Sequence, residues 1–176
     1  EAIKPNEFVL KPIDGEQQPH GDIGVTWKKA EKAGAKVVDR LSDALPGWPY
    51  KYPGDDQWDA LVKEQIQKVK ASGMTNLAAY AIWNESDNTW DNSSYRPTNS
   101  DGTKETYEQL WTRTYNVIRS VDSTTPIQGP SFSDNISDME NFLTNAKETN
   151  TLPDILAWHE LESSTKIEGD IKKVEA

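Results

Sequence analysis

Short apolar runs alternate with helix-period segments along this chain of 176 residues. Phe8-Val-Leu with Ile13 reads as a first, weak strand interrupted by Pro12, and Ile23 to Ala33 as a helix that Gly34 closes. Ala35-Lys-Val-Val-Asp-Arg-Leu41 is a second strand. Trp58, Leu61, Val62, Ile66 and Val69 share one face of a helix that ends at Gly73. Leu77 to Trp83 is a continuous apolar run, the pattern of a strand buried on both faces. The alternation then repeats. Tyr107, Leu110, Trp111, Ile118 and Val121 mark a long helix, and Thr125 to Phe132 a short strand whose Gly129 and Pro130 end its regular pairing. Ser137 and Glu140 have the spacing of a capping box ahead of Met139, Phe142, Leu143 and Ala146. Asp154 to Leu161 is a fifth strand, and Thr165 to Val174 a final helix.

Strands alternating with helices imply a mainly parallel sheet with right-handed crossovers. Two architectures compete: an open doubly wound sheet and part of a closed (β/α)8 barrel. The phosphate-binding signals that favour the first, Gly-x-Gly-x-x-Gly after a strand or a Gly-Lys-Ser/Thr loop, are missing. Five units of about 35 residues would extend to about 280 residues for eight, close to the size of a barrel. The expected fold class is therefore α/β, five βα units of a (β/α)8 TIM-type barrel. Strand one and strands seven and eight would be absent, and residues 1–176 would be a partial catalytic domain of a longer chain.

Composition removes several functions. With 29 acidic against 19 basic residues the net charge is −10, and no Lys/Arg cluster exists to neutralise phosphates, so nucleic acid is not an expected partner. No run of about 18 apolar residues is present, which excludes a transmembrane helix and membrane insertion by one. Without Cys there is no thiol nucleophile, and two isolated His do not make a zinc site. Asp87, Asp91 and Asp101 lack the spacing of a calcium loop and read as a solvated segment. Asn84, Asn92 and Asn135 head formal glycosylation triplets that read as chance matches. No cofactor and no metal are expected.

In a parallel α/β fold chemistry gathers at the carboxyl ends of the strands. Here those ends read Ser42-Asp-Ala-Leu-Pro-Gly-Trp-Pro-Tyr50, Trp83-Asn-Glu-Ser-Asp87, Gly129-Pro-Ser-Phe132 and Trp158-His-Glu-Leu161. Carboxylates, amides, a His and indoles suit sugars, whose hydroxyls need donors and acceptors and whose C–H faces pack on aromatic rings. Seven Trp, several beside Pro, Asn, Asp or Gly, strengthen that expectation. Glu85 follows a buried strand directly, and walls of Trp83 and Trp90 would desolvate it, as a general acid requires. Asn84 beside it could hold a substrate hydroxyl.

The segment Tyr80-Ala-Ile-Trp-Asn-Glu-Ser-Asp87 resembles the Asn-Glu-Pro-Asp motif that ends the fourth strand of clan A glycoside hydrolases. Leu45-Pro-Gly-Trp-Pro49, Ile118-Arg-Ser-Val-Asp122, Gly129-Pro-Ser131 and Leu152-Pro-Asp-Ile-Leu-Ala-Trp-His-Glu-Leu161 resemble family 39 and its relatives. The resemblance covers most of residues 30 to 162. It implies that Glu85 is the general acid/base, that Asn84 binds the sugar, and that His159 lines the sugar site. Trp48 would be a subsite platform. Trp90, Trp158 and Glu160 are further substrate-binding candidates, although alternation along the strand turns Trp158 and Glu160 away from the side taken by His159. Ser86 stands where the family has Pro.

The resemblance implies a retaining hydrolase of O-glycosyl bonds in a plant or microbial glycan. Retaining enzymes need a nucleophilic carboxylate about 5.5 Å from the acid, and in this clan it ends strand seven, so it would lie on a segment absent from this chain, which alone would be inactive. An inverting variant with Glu160 as base is a further possibility. The expected partners are an oligo- or polysaccharide substrate and the remainder of the barrel, from the same or another chain. The expected location is extracellular or at a bacterial cell surface. The alternatives are a non-catalytic carbohydrate-binding or degenerate barrel module, and a structural or adhesive surface domain suggested by the polar stretch Asn84 to Thr103.

Overall fold

The structure, a computed structural model, describes residues 23–47, 49–133, 136–160 and 164–175. Four parallel strands alternate with helices: α1 (Ile23–Lys32), β1 (Val37–Arg40), α2 (Asp55–Ala71), β2 (Leu77–Ala81), α3 (Ser86–Thr89), α4 (Tyr107–Val121), β3 (Ile127–Phe132), α5 (Met139–Glu148), β4 (Ile155–Trp158) and α6 (Ser164–Glu175). The expected strand from Phe8 to Ile13, and Trp48, lie outside the described residues.

The sheet order is β1-β2-β3-β4, all parallel, so each crossover places the next strand beside the last. Among the described strands the order never reverses, and a doubly wound sheet reverses at its switch point. Helix α2 packs on α4, and α4 on α5. Their apolar faces explain this: Trp58, Val62 and Ile66 of α2, Leu110, Trp111 and Ile118 of α4 and Phe142 of α5 are all sealed from solvent. They meet Tyr80, Ile82 and Ile127 from the sheet in one core.

The indoles belong to that core. Trp27, Trp58, Trp83, Trp90 and Trp111 are buried, as the helix periods of Trp58 and Trp111 and the apolar run ending at Trp83 predict; only for Trp90, expected to meet substrate, does burial differ from the expectation. Trp83 is the hub, meeting Tyr50, Trp58 and Trp90 edge-on with centroids 5.0, 5.5 and 5.3 Å away. Such edge-to-face pairs are favoured by the ring quadrupole. Four of these indole N–H groups find acceptors: Trp58 donates to Thr114 Oγ1 at 2.8 Å, Trp83 to Thr89 Oγ1 at 2.8 Å, Trp90 to the Glu105 carbonyl at 3.1 Å and Trp111 to the Thr151 carbonyl at 2.9 Å.

Local signals were met unevenly. Gly34 and Gly73 close α1 and α2 with φ of 70° and 74°. Helix α4 spans the residues its periodicity predicts, and its start is a capping box: the Gln109 backbone N–H donates to Thr106 Oγ1 at 3.3 Å and the Thr106 N–H to Gln109 Oε1 at 2.8 Å. The box expected at Ser137 and Glu140 does not form. A 3₁₀ turn at Ile136–Asp138 runs into α5, so the N-cap is Asp138, already at φ −84° and ψ −4° rather than extended. Among the described residues no helix is long and apolar enough to cross a membrane.

Candidate active site

The carboxyl ends of β2, β3 and β4 converge on one groove of about 560 Å³, lined by Glu85, Ser133, His159 and Glu160 among others. Glu85 comes from the turn after β2. Its backbone is left-handed, φ 52° and ψ 53°, a conformation uncommon for a residue with a Cβ. Two contacts hold it there: the Glu85 N–H donates to the Ser131 carbonyl at 2.8 Å, and the Glu85 carbonyl accepts the N–H groups of Asn88 and Thr89 at 2.9 and 2.6 Å. Ser131 is itself left-handed at φ 63°, where the pairing of β3 with β4 shifts register. This bulge aims the Ser131 carbonyl across to the neighbouring turn. Asp87 adds a second tie, accepting from the Ser133 N–H at 2.8 Å and the Ser133 hydroxyl at 2.8 Å.

The Glu85 carboxylate meets His159, with Oε1 2.9 Å from Nδ1. His159 lies just past the end of β4, and its backbone N–H donates to the Phe132 carbonyl at 2.9 Å. The pair is only part-exposed, 15% for the Glu85 side chain and 28% for His159, so its attraction is less screened than at an open surface. Oε2 of Glu85 makes no hydrogen bond among the described residues. One oxygen is thus oriented by the imidazole, and the other is left for a ligand.

Asn84 is 4% exposed. Its carbonyl accepts the Thr89 hydroxyl at 2.6 Å, and its Oδ1 accepts from Arg40 Nη1 at 2.6 Å. Arg40 ends β1, and its Nε donates to Asp43 Oδ2 at 2.8 Å, while Tyr50 donates to Asp43 Oδ1 at 2.8 Å.

The other predicted site residues divide. Trp90 is sealed, packed edge-on against Tyr52 and Trp83, and has no free face for a sugar. With Trp83 it lies in the core and does not wall Glu85. Trp158 is half-buried and donates to Glu160 Oε1 at 3.0 Å. Parity predicts Glu160 facing away from His159, but β4 ends at Trp158, so alternation no longer applies and both residues reach the groove. Trp48 lies outside the described residues.

Sequence reasoning missed Arg40, Ser133 and Asp170. Asp170, on α6, lines the groove, and the hydrogen bond from Lys173 Nζ at 2.7 Å holds its carboxyl below the ordinary value. The three acidic residues set aside as solvated have local partners: Asp87 as above, Asp91 with Arg96 at 3.2 Å, and Asp101 with the Thr103 N–H at 2.9 Å. Among the described residues no three His, Cys, Asp or Glu side chains cluster as a metal site.

No protein-family model and no curated protein matches the chain. Among solved structures it is similar to N2152 from Neocallimastix frontalis, with 37% identity and a TM-score of 0.78, over 94% of this chain. The chain spans 41% of the length of that neighbour.

Proposed function

We propose that residues 1–176 are the acid/base side of a (β/α)8 glycoside hydrolase of the retaining type, resembling clan A and family 39. The Glu85–His159 pair at the carboxyl end of a parallel sheet carries this reading. Four strands in unreversed order support the barrel. In the first step a nucleophilic carboxylate from the rest of the barrel bonds to the anomeric carbon as the glycosidic C–O bond breaks; protonated Glu85 gives its proton through Oε2 to the leaving-group oxygen, and His159 Nδ1–H donates to the carboxylate that remains. In the second step the Glu85 carboxylate takes a proton from the attacking water, while the nucleophilic carboxylate departs from the sugar. Asn84 holds a sugar hydroxyl. The substrate is an oligo- or polysaccharide, which puts the site of action outside the cell or at its surface.

The binding-module alternative draws on exposed aromatic platforms, and burial of Trp90 removes one of them. The deciding experiment uses the chain that carries the whole barrel, with Glu85→Gln assayed on aryl glycosides of graded leaving-group acidity. Turnover is expected to fall by about 10²–10⁴ for poor leaving groups, which need the proton, and far less for dinitrophenolate. Equal turnover by variant and parent on poor leaving groups rules out Glu85 as the acid.

A further inference from the structure

Asn84 and Arg40 fix more than a distance. A guanidinium has N–H donors and no acceptor, so the amide atom 2.6 Å from Nη1 is the oxygen, and the orientation of the Asn84 amide follows without ambiguity. The Asn84 main-chain carbonyl is already engaged by Thr89. What remains is Nδ2, which makes no hydrogen bond among the described residues and is not one of the sealed, unpartnered polar atoms. Arg40 cannot turn away readily. Its Nε is held by Asp43, whose other oxygen takes the hydroxyl of Tyr50, and Tyr50 is 1% exposed and packed on Trp83. Register places Arg40 beside Ala81, three residues before Asn84, so this chain of hydrogen bonds runs along the carboxyl edge of the sheet.

We propose that Arg40 is a positioning residue that occupies the carbonyl end of Asn84, so that the ligand meets only the –NH₂ end. Resting on the glycosidase reading, the sugar is then gripped at this point through an oxygen acting as acceptor. Two nitrogens of one planar fork serve Asp43 and Asn84 together, and a Lys ammonium on a flexible stem does not reproduce that fork. Arg40→Lys is therefore as damaging as Arg40→Met.

The test uses the full chain, labelled with ¹⁵N, and the Asn84 Nδ2 resonance identified by its loss in Asn84→Asp. In Arg40→Met and Arg40→Lys that resonance is expected to move towards the position of a free amide, while the indole N–H signals of Trp58 and Trp83 stay in place and report an intact core. An unmoved Asn84 amide overturns the proposal. If Arg40→Met does not fold, Tyr50→Phe loosens Arg40 without altering β1 and is expected to move the same resonance part-way; no movement there is equally fatal. A second measurement takes kcat/KM on 4-nitrophenyl β-glucoside, β-xyloside and β-galactoside in the chain that carries the whole barrel. Arg40→Met and Asn84→Ala are each expected to lower it about tenfold, and the double variant no further than Asn84→Ala alone. Additive losses overturn the positioning role. No binding or turnover of any glycoside refutes the glycosidase reading instead, while the amide resonance still decides Arg40.

Discussion

Asp39 is a carboxyl in the wrong solvent, and its replacement by Asn tests how the core handles it. It sits on the helix side of β1, 5% exposed, opposite Gln65 at 2%. Burial raises its pKa to about 7; the Gln65 side chain opposes the rise and the negative Asp43 adds to it. Gln65 offers little relief, since Nε2 is 3.5 and 3.4 Å from the two carboxylate oxygens. Its Oε1 is sealed and has no partner. A protonated Asp39 resolves both faults: once the Gln65 amide rotates, the carboxyl proton reaches Oε1 and Nε2 serves the other oxygen.

A rise from 3.8 to about 7 corresponds to about 4 kcal/mol, at roughly 1.4 kcal/mol per unit. The folded chain keeps a proton that the unfolded chain has released. The contribution of neutral Asp39 is thus complete below about pH 4 and is lost as pH rises through about 7. Asp39→Asn is neutral throughout and nearly isosteric. Urea unfolding of parent and variant from pH 4 to 8 gives a stability difference in which other titrations cancel. That difference is expected to move by about 4 kcal/mol in favour of the variant, mostly between pH 4 and 7. A difference constant with pH refutes the reasoning, because Asp39 would then titrate alike in both states.

Three further substitutions test other contacts. Gly129→Ala puts a methyl against the Trp111 ring, 2.8 Å from Cη2 and closer still to Cζ3, and because the indole is anchored to the Thr151 carbonyl the change is expected to cost about 1–3 kcal/mol in urea unfolding. Thr106→Ala removes the capping box of α4 and is expected to cost about 1 kcal/mol by the same measurement, with Thr106→Ser restoring most of it. Asp122 behaves oppositely to Asp39: burial raises its pKa, but N–H and hydroxyl donors of Thr124 and Thr125 outweigh burial and hold it well below 3.8. Its contribution is present above pH 4 and lost as pH falls through the depressed value, so Asp122→Asn is expected to cost more at pH 7 than at pH 3 in urea titrations.

The legible parts of the fold were those dictated by period. Helix α4 shows an apolar face along its whole length, and β2 is apolar throughout because a central parallel strand has no wet side. Trp90 is the indole whose place differs from the reading, because residue-by-residue context cannot distinguish an aromatic under a loop from one on top of it. Trp90 stands between Thr89 and Asp91, yet its N–H donates to the Glu105 carbonyl and its buried ring packs on Tyr52 and Trp83. The polar and aromatic composition of the strand ends was legible; which of the aromatics met solvent was not.

The site itself depends on what period-based reading leaves out. Alternation placed Glu160 on the far side from His159, yet the strand ends at Trp158, before either residue, and the chain is then free to bring both to the groove. The two left-handed residues, Glu85 and Ser131, make the same point more strongly. Neither is Gly or Asn, so nothing in the residue type announces the conformation, and each is held by the other's turn through one hydrogen bond of 2.8 Å. Strained backbone of this kind persists only where neighbours over-determine it. Here the determinants are the tie of Asp87 to Ser133 and the bulge in β3, and the β3 residues that take part, Ser131 and Ser133, are distant in sequence from the carboxyl they aim. Any change that frees the Ser131 carbonyl therefore moves Oε1 of Glu85 relative to His159 without touching either side chain.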